Sequence, residues 1–152
     1  LRDRGVELKF NPLPELLAGR RVVVVDDTIV RGTTTPRVVA MLRKAGAREV
    51  HMRITSPPIT HPCFYGVDMA TRGELIATHF DVEQTREHIG ADSLGYLTLE
   101  GTVGATGQGS SDLCSACFSG QYPSDVPLQL DKLALEVDAS RDRHAIPLRA
   151  IH

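Results

Sequence analysis

Residues 22 to 35, VVVVDDTIVRGTTT, constrain the fold more than any other stretch of this chain. Four consecutive valines end in two adjacent aspartates, and a short loop of threonines with one glycine follows. A continuous β-branched run over 21–26 suits a strand buried on both faces of a parallel sheet. Thr35 and Pro36 then fit an N-cap with proline at the first helical position. Val38, Val39, Leu42 and Ala45 recur at helical spacing, and Gly46 suits the residue after the helix. Residues 49–54 alternate into a second strand. Strand, loop, helix and strand in this order make a βαβ unit with a right-handed crossover. The loop at 27–35 therefore falls at the carboxyl end of a parallel strand, where open α/β sheets bind ligands.

The rest of the chain is less regular. Residues 1–20 are expected to form a loop, a brief strand through Val6, Leu8 and Phe10, and a turn near Gly19. The stretch SPPITHPCFYG (56–66) holds too much proline to continue a sheet. Thr71 and Glu74 have capping-box spacing, which predicts a helix start. Residues 81–89, closed by Gly90, read as another short helix. Residues 101–112 (GTVGATGQGSSD) are flexible by composition, and the tail 138–152 lacks any period and is expected to be loosely ordered. The organisation expected is an α/β unit over 1–100, a cysteine-containing segment over 101–137, and the tail.

A net charge of −2 at pH 7 gives no overall basic field for nucleic acid or anionic membrane. No apolar run approaches the ~18–20 residues of a membrane helix, and no signal-like segment follows Leu1. Three cysteines are an odd count, against a complete disulfide framework, so a reduced, cytoplasmic setting is expected.

Two phosphate-loop motifs fail here. Gly32 is followed by Thr33 with no lysine, against a Walker A loop, and one glycine in 27–35 cannot make a dinucleotide fingerprint. The loop nevertheless offers consecutive backbone N–H groups, threonine hydroxyls and a helix N-terminus, all suited to phosphate. Gly32 lets an anion approach the main chain. Asp26 and Asp27 would repel a phosphate placed on them and suit sugar hydroxyls or Mg²⁺. Adjacent strand residues point opposite ways, so the two acids have different tasks. A ligand with phosphate at one end and vicinal hydroxyls with a metal beside it is a phosphorylated ribose.

The motif resembles the phosphoribosyl pyrophosphate (PRPP) binding loop of type I phosphoribosyltransferases. GVELKFNP, AGAREVHMRITSPPITHPCFYGVDM, IGADSLGYLTLEG and DLCSACFSGQYP are similar to amidophosphoribosyltransferases, over roughly residues 1–137. The resemblance implies a type I phosphoribosyltransferase-like parallel sheet, here without its earlier strands, and a C-terminal helical and loop segment that binds a cluster. It implies the reaction of PRPP with glutamine-derived ammonia to phosphoribosylamine, the first committed step of purine synthesis. Carried over, Asp26 and Asp27 meet the ribose hydroxyls and Mg²⁺, and Thr28, Ile29, Val30, Arg31, Gly32, Thr33 and Thr34 wrap the 5-phosphate. Lys9 matches a mobile-loop lysine that closes over pyrophosphate; an exposed strand-edge lysine is the plain alternative. Arg31 and Arg37 flank the loop, where a ligand contact and a solvated role are both open.

By spacing alone, Cys63, Cys114 and Cys117 fit inert core thiols, a Cys₃His zinc site with His61, or a redox pair. The resemblance favours a fourth reading, ligands of a [4Fe–4S] cluster whose remaining cysteine lies upstream of this chain. It likewise implies an N-terminal glutaminase domain outside these residues and a homo-oligomer. A parallel sheet without its earlier strands exposes an unpaired edge and apolar faces, so these residues alone are expected to be poorly stable and inactive. His79, His88, His144 and His152 have no partner spacing and read as surface histidines. Another class of function, a non-catalytic PRPP-sensing regulator on the same fold, would share the loop but not explain the cysteines.

Overall fold

The structure, a computed structural model, describes residues 12–68 and 71–125. Lys9, the strand expected at Val6–Phe10 and the tail 138–152 lie outside the described residues. A one-turn helix, α1 (Pro14–Leu17), leads into β1 (Arg21–Asp26). Then come α2 (Thr35–Lys44), β2 (Glu49–Ile54), 3₁₀ turns at Arg72–Glu74 and Ile76–Thr78, and α3 (Val82–Ile89). β3 (Ser93–Tyr96), α4 (Leu99–Thr106), a 3₁₀ turn at Ser110–Asp112 and α5 (Ala116–Ser119) complete the order. The three strands form one parallel sheet in the order β1-β2-β3. Val24 pairs with Met52, Asp26 with Ile54, and Ile54 with Tyr96. The strand–helix–strand unit expected over 21–54 is present. Among the described residues no helix is long and apolar enough to cross a membrane.

Alternation decides which sheet face is covered. Val50, Met52 and Ile54 of the central strand are buried and pack with Ile29, Val39, Ile76 and Ile89, with Val22, Val24, Leu94 and Tyr96 around them. Both α2 and α3 thus lie on one face. The other face carries Val23 and Val25, 60% and 66% exposed, beside His51 and Arg53, both hydrogen-bonded to Ser93 Oγ. The expectation that β1 is buried on both faces therefore fails among the described residues. β1 is the outer strand there, and none of the described helices packs over Val23 and Val25.

Other differences have local causes. Thr34, not Thr35, is the residue before α2, because its carbonyl accepts from both Arg37 N and Val38 N. The capping box at Thr71 and Glu74 forms as expected, yet no continuous helix follows. Leu75 turns extended and is fully buried, and Ile76 N–H goes to the Val30 carbonyl instead of an intrahelical partner. Residues 101–106 are helical, not flexible. Thr98 caps α4 by accepting from Gly101 N, and Gly107 ends it in the left-handed region at φ +69°. The helix expected over 81–89 is α3, capped by Asp81 and closed by Gly90. β3 and α1 were not anticipated.

Candidate functional site

β1 carries its acids out at the carboxyl edge of the sheet. Asp26 is held from both sides, its carbonyl taking the Thr55 N–H at 3.0 Å. Its Oδ1 accepts from Asp27 N at 3.0 Å, and Asp27 Oδ1 accepts from Thr28 N at 2.7 Å. Each carboxylate thus spends one oxygen fixing the next residue, and the two carboxyl groups also interact with each other. Burial pushes the Asp26 carboxyl above its usual range; the charge of Asp27 adds to this, while the Asp27 N–H opposes it. A bound cation would relieve both causes. Two adjacent, interacting carboxylates are a donor set that fits a hard divalent ion completed by ligand oxygens and water.

The loop after them is anchored through its carbonyls. Val30 O accepts from Ile76 N at 2.9 Å, Gly32 O faces His88 Nε2 at 3.1 Å, and Thr34 O takes the first turn of α2. A peptide unit is planar, and none here is cis, so each tied carbonyl aims the next residue's N–H the opposite way. The donors so aimed belong to Arg31, Thr33 and Thr35. No N–H from Ile29 to Thr35 has a hydrogen-bond acceptor among the described residues. Unclaimed donors at the N-terminus of a ten-residue helix are an anion-binding arrangement.

The side chains divide differently from expectation. Ile29 is in the core at 2% exposure and Val30 packs on Ile59 and Leu75, so these two residues can serve a ligand only through backbone. Thr33 and Thr34 are exposed and free to present hydroxyls, whereas the half-buried Thr28 donates its hydroxyl to Asp27 Oδ1 at 3.4 Å. Arg31 Nε pairs with Glu74 Oε1 at 3.1 Å, which turns its guanidinium toward the 71–78 segment. Gly32 adopts φ +65°, and a Cβ there would stand 2.3 Å from Ile76 Cδ1. Beside Asp26, an open cleft of about 360 Å³ is lined by Arg53, Ile54, Thr55, Gly95, Tyr96 and Leu97.

The cysteine segment folds back on the proline-rich stretch. Cys117 O accepts from Thr60 N and His61 N, Tyr122 OH donates to Pro62 O at 2.8 Å, and the Phe64 and Tyr122 rings lie 5.2 Å apart. Cys63 and Cys117 are half-buried and Cys114 is exposed, all three as free thiols. Burial pushes the Cys117 thiol up, and the nearby Cys63 and Cys114 push it further, so the three share one neighbourhood. They are not drawn into a ligand group: among the described residues no set of three or more His, Cys, Asp or Glu side chains is arranged to hold a metal ion. Cys117 and Phe118 pack on Ile59 and Leu75, the same small cluster that holds Val30 of the loop.

His88 and Glu74 are the supports that sequence reasoning missed. His88 does lie on the surface, but its ring is engaged with the loop. The capping-box spacing singled out Glu74 for its helix-start role; nothing local in the sequence marks its pairing with Arg31.

A parallel strand ending on paired carboxylates, followed by a threonine–glycine loop with outward N–H groups, defines a phosphoribosyltransferase-like α/β site. No protein-family model matches the sequence. The amidophosphoribosyltransferase of Synechocystis is 52% identical over 138 residues, which cover 90% of this chain and 28% of that protein. Its counterpart in Methanocaldococcus jannaschii is 55% identical over 125 residues, covering 82% of this chain and 26% of the relative. The solved glutamine PRPP amidotransferase of B. subtilis, complexed with ADP and GMP, superposes with a TM-score of 0.73 at 49% identity, over 78% of this chain and 27% of that one. Over the segment it shares with them, this chain belongs with the amidophosphoribosyltransferases. It spans roughly a quarter of their length.

Proposed function

We infer that this chain is the part of an amidophosphoribosyltransferase that holds the ribose and 5-phosphate of PRPP. The observation that carries this reading is the division of the loop: carbonyls tied inward, N–H groups unclaimed, and two adjacent carboxylates just ahead of it. The N–H groups and hydroxyls of residues 28 to 34 would take the 5-phosphate, and Asp26 and Asp27 the ribose hydroxyls and Mg²⁺. Lys9 would meet the pyrophosphate. Mg²⁺, when bound, neutralises charge developing on pyrophosphate as it leaves. At ribose C1 a C–N bond to ammonia forms as the C–O bond to pyrophosphate breaks. The electron pair departs with pyrophosphate, and the ammonium formed loses a proton to give 5-phosphoribosylamine. Ammonia is a competent nucleophile, so the chain's own task is positioning and the exclusion of water.

In the parent protein ammonia would come from glutamine on a separate glutaminase domain, in a cytoplasmic homo-oligomer of purine biosynthesis. Cys63, Cys114 and Cys117 would supply three thiolates of a [4Fe–4S] cluster, with the fourth from outside this chain. Their shared neighbourhood supports that reading. The cluster would fasten the C-terminal segment to the core.

The test is pyrophosphate release by the full-length protein given PRPP, Mg²⁺ and ammonia. Asp27→Asn should lower it by at least about a hundredfold, the order expected for a lost electrostatic contact in the transition state. Wild-type protein without ammonia-dependent release would refute the reading. Iron and acid-labile sulfide in equal amounts would support the cluster; stoichiometric zinc without sulfide would refute it.

A further inference from the structure

The loop's most exacting residue is Gly32, and the side chain that meets its carbonyl belongs to neither the loop nor the sheet. His88 projects from the last turn of α3, and its Nε2 lies 3.1 Å from Gly32 O. A carbonyl oxygen only accepts, so Nε2 carries the proton. The ring is steadied by Phe80, whose centroid is 5.6 Å away. A Cβ at Gly32 would meet both the Ile76 side chain and the His88 ring, so the two together close the space beside it. Gly32 and Thr33 share one peptide plane, so the proton donated to Gly32 O also determines where the Thr33 N–H points.

We propose that His88 is a positioning residue for the phosphate loop, holding the Gly32–Thr33 peptide so that the Thr33 N–H faces the anion. The inference rests on the phosphate reading above and adds to it a residue from outside the loop motif. With the hydrogen bond gone, the peptide can rotate toward solvent, and part of the phosphate's binding energy goes to ordering it again. The effect belongs to binding more than to chemistry, because the 5-phosphate lies away from the reacting C1.

The full-length protein tests this with two variants. His88→Leu keeps bulk against Phe80 and removes the donor, whereas His88→Gln keeps a donor within reach. The expected result is a PRPP KM raised about three- to tenfold in His88→Leu, the range for one hydrogen bond, with kcat within about twofold of wild type. His88→Gln should recover most of the loss. Equal KM values for wild type and His88→Leu, or equal losses in both variants, overturn the proposal. Nitrogen-15 NMR of the wild-type His88 ring adds a readout that needs no variant. A proton on Nε2 is expected, and a neutral ring protonated only on Nδ1 overturns the proposal. A wild-type protein that fails to bind PRPP instead sinks the phosphate reading, which separates the two failures.

Discussion

Replacing Gly32 by alanine puts a methyl group where the fold has no room for one. The backbone there has φ +65°, a left-handed conformation that costs a non-glycine residue about 1–2 kcal/mol. The new Cβ would lie 2.3 Å from Ile76 Cδ1. That atom ends a flexible side chain, but Ile76 is only 6% exposed and packed in the main core. Moving it off its rotamer costs about 0.5–1.5 kcal/mol. The two costs together come to about 1.5–3.5 kcal/mol, either lost from global stability or avoided by a loop that leaves its place. Urea denaturation of wild type and Gly32→Ala distinguishes these when run beside phosphate-ligand binding. A stability drop with binding retained means the loop held; unchanged stability with binding lost means it moved. A double-mutant cycle isolates the clash. Ile76→Ala alone costs about 2–5 kcal/mol, and in the double variant the methyl group finds space. The pair should then be less destabilised than the sum of the singles by about 1 kcal/mol. Strict additivity, or a Gly32→Ala variant indistinguishable from wild type in both assays, would refute the reasoning.

Two further outcomes follow from contacts outside the loop. Asp92 Oδ2 accepts from the buried Val50 N at 2.6 Å and from Arg43 Nη2 at 2.8 Å. The Val50 N–H, then Arg43, hold its carboxyl below the usual range, so Asp92→Ala should cost about 1–3 kcal/mol in a denaturant titration at pH 7. Because the folded pKa is lowered, this stability is present above the unfolded carboxylate pKa and is lost as pH falls through the folded value; the wild-type and variant curves should converge in acid. At Gly120, φ is +74° and a Cβ would stand 2.7 Å from His61 Nε2. Gly120→Ala should therefore cost about 1–2 kcal/mol and speed limited proteolysis between residues 60 and 65, where the cysteine segment docks.

What was legible in the sequence had a local cause. β1, α2, β2 and α3 follow from a valine run, helical spacing, alternation and a capped, glycine-closed segment, all within a few residues of one another. β3 is four residues containing a glycine, SLGY, and becomes a strand only through its pairing with β2. Residues 101–112 look like a linker by composition, yet a single threonine cap at Thr98 is enough to start a helix there. Sequence reasoning singled out Asp26, Asp27 and the loop because a polar run at a strand end has few structural uses. It assigned Ile29 and Val30 to the ligand, whereas their side chains serve the core. His88 and Arg31–Glu74 were out of reach because their contacts span 56 and 43 residues.

The central claim is that one site has two separable halves, carboxylates for metal and hydroxyls and a loop for phosphate. Calorimetric titration of the full-length protein with inorganic phosphate without metal, then with PRPP and Mg²⁺, addresses it most directly. The double variant Asp26→Asn, Asp27→Asn should keep the metal-free phosphate binding of wild type and lose the Mg²⁺-dependent gain in PRPP affinity. A double variant that binds both ligands as wild type does would contradict the account.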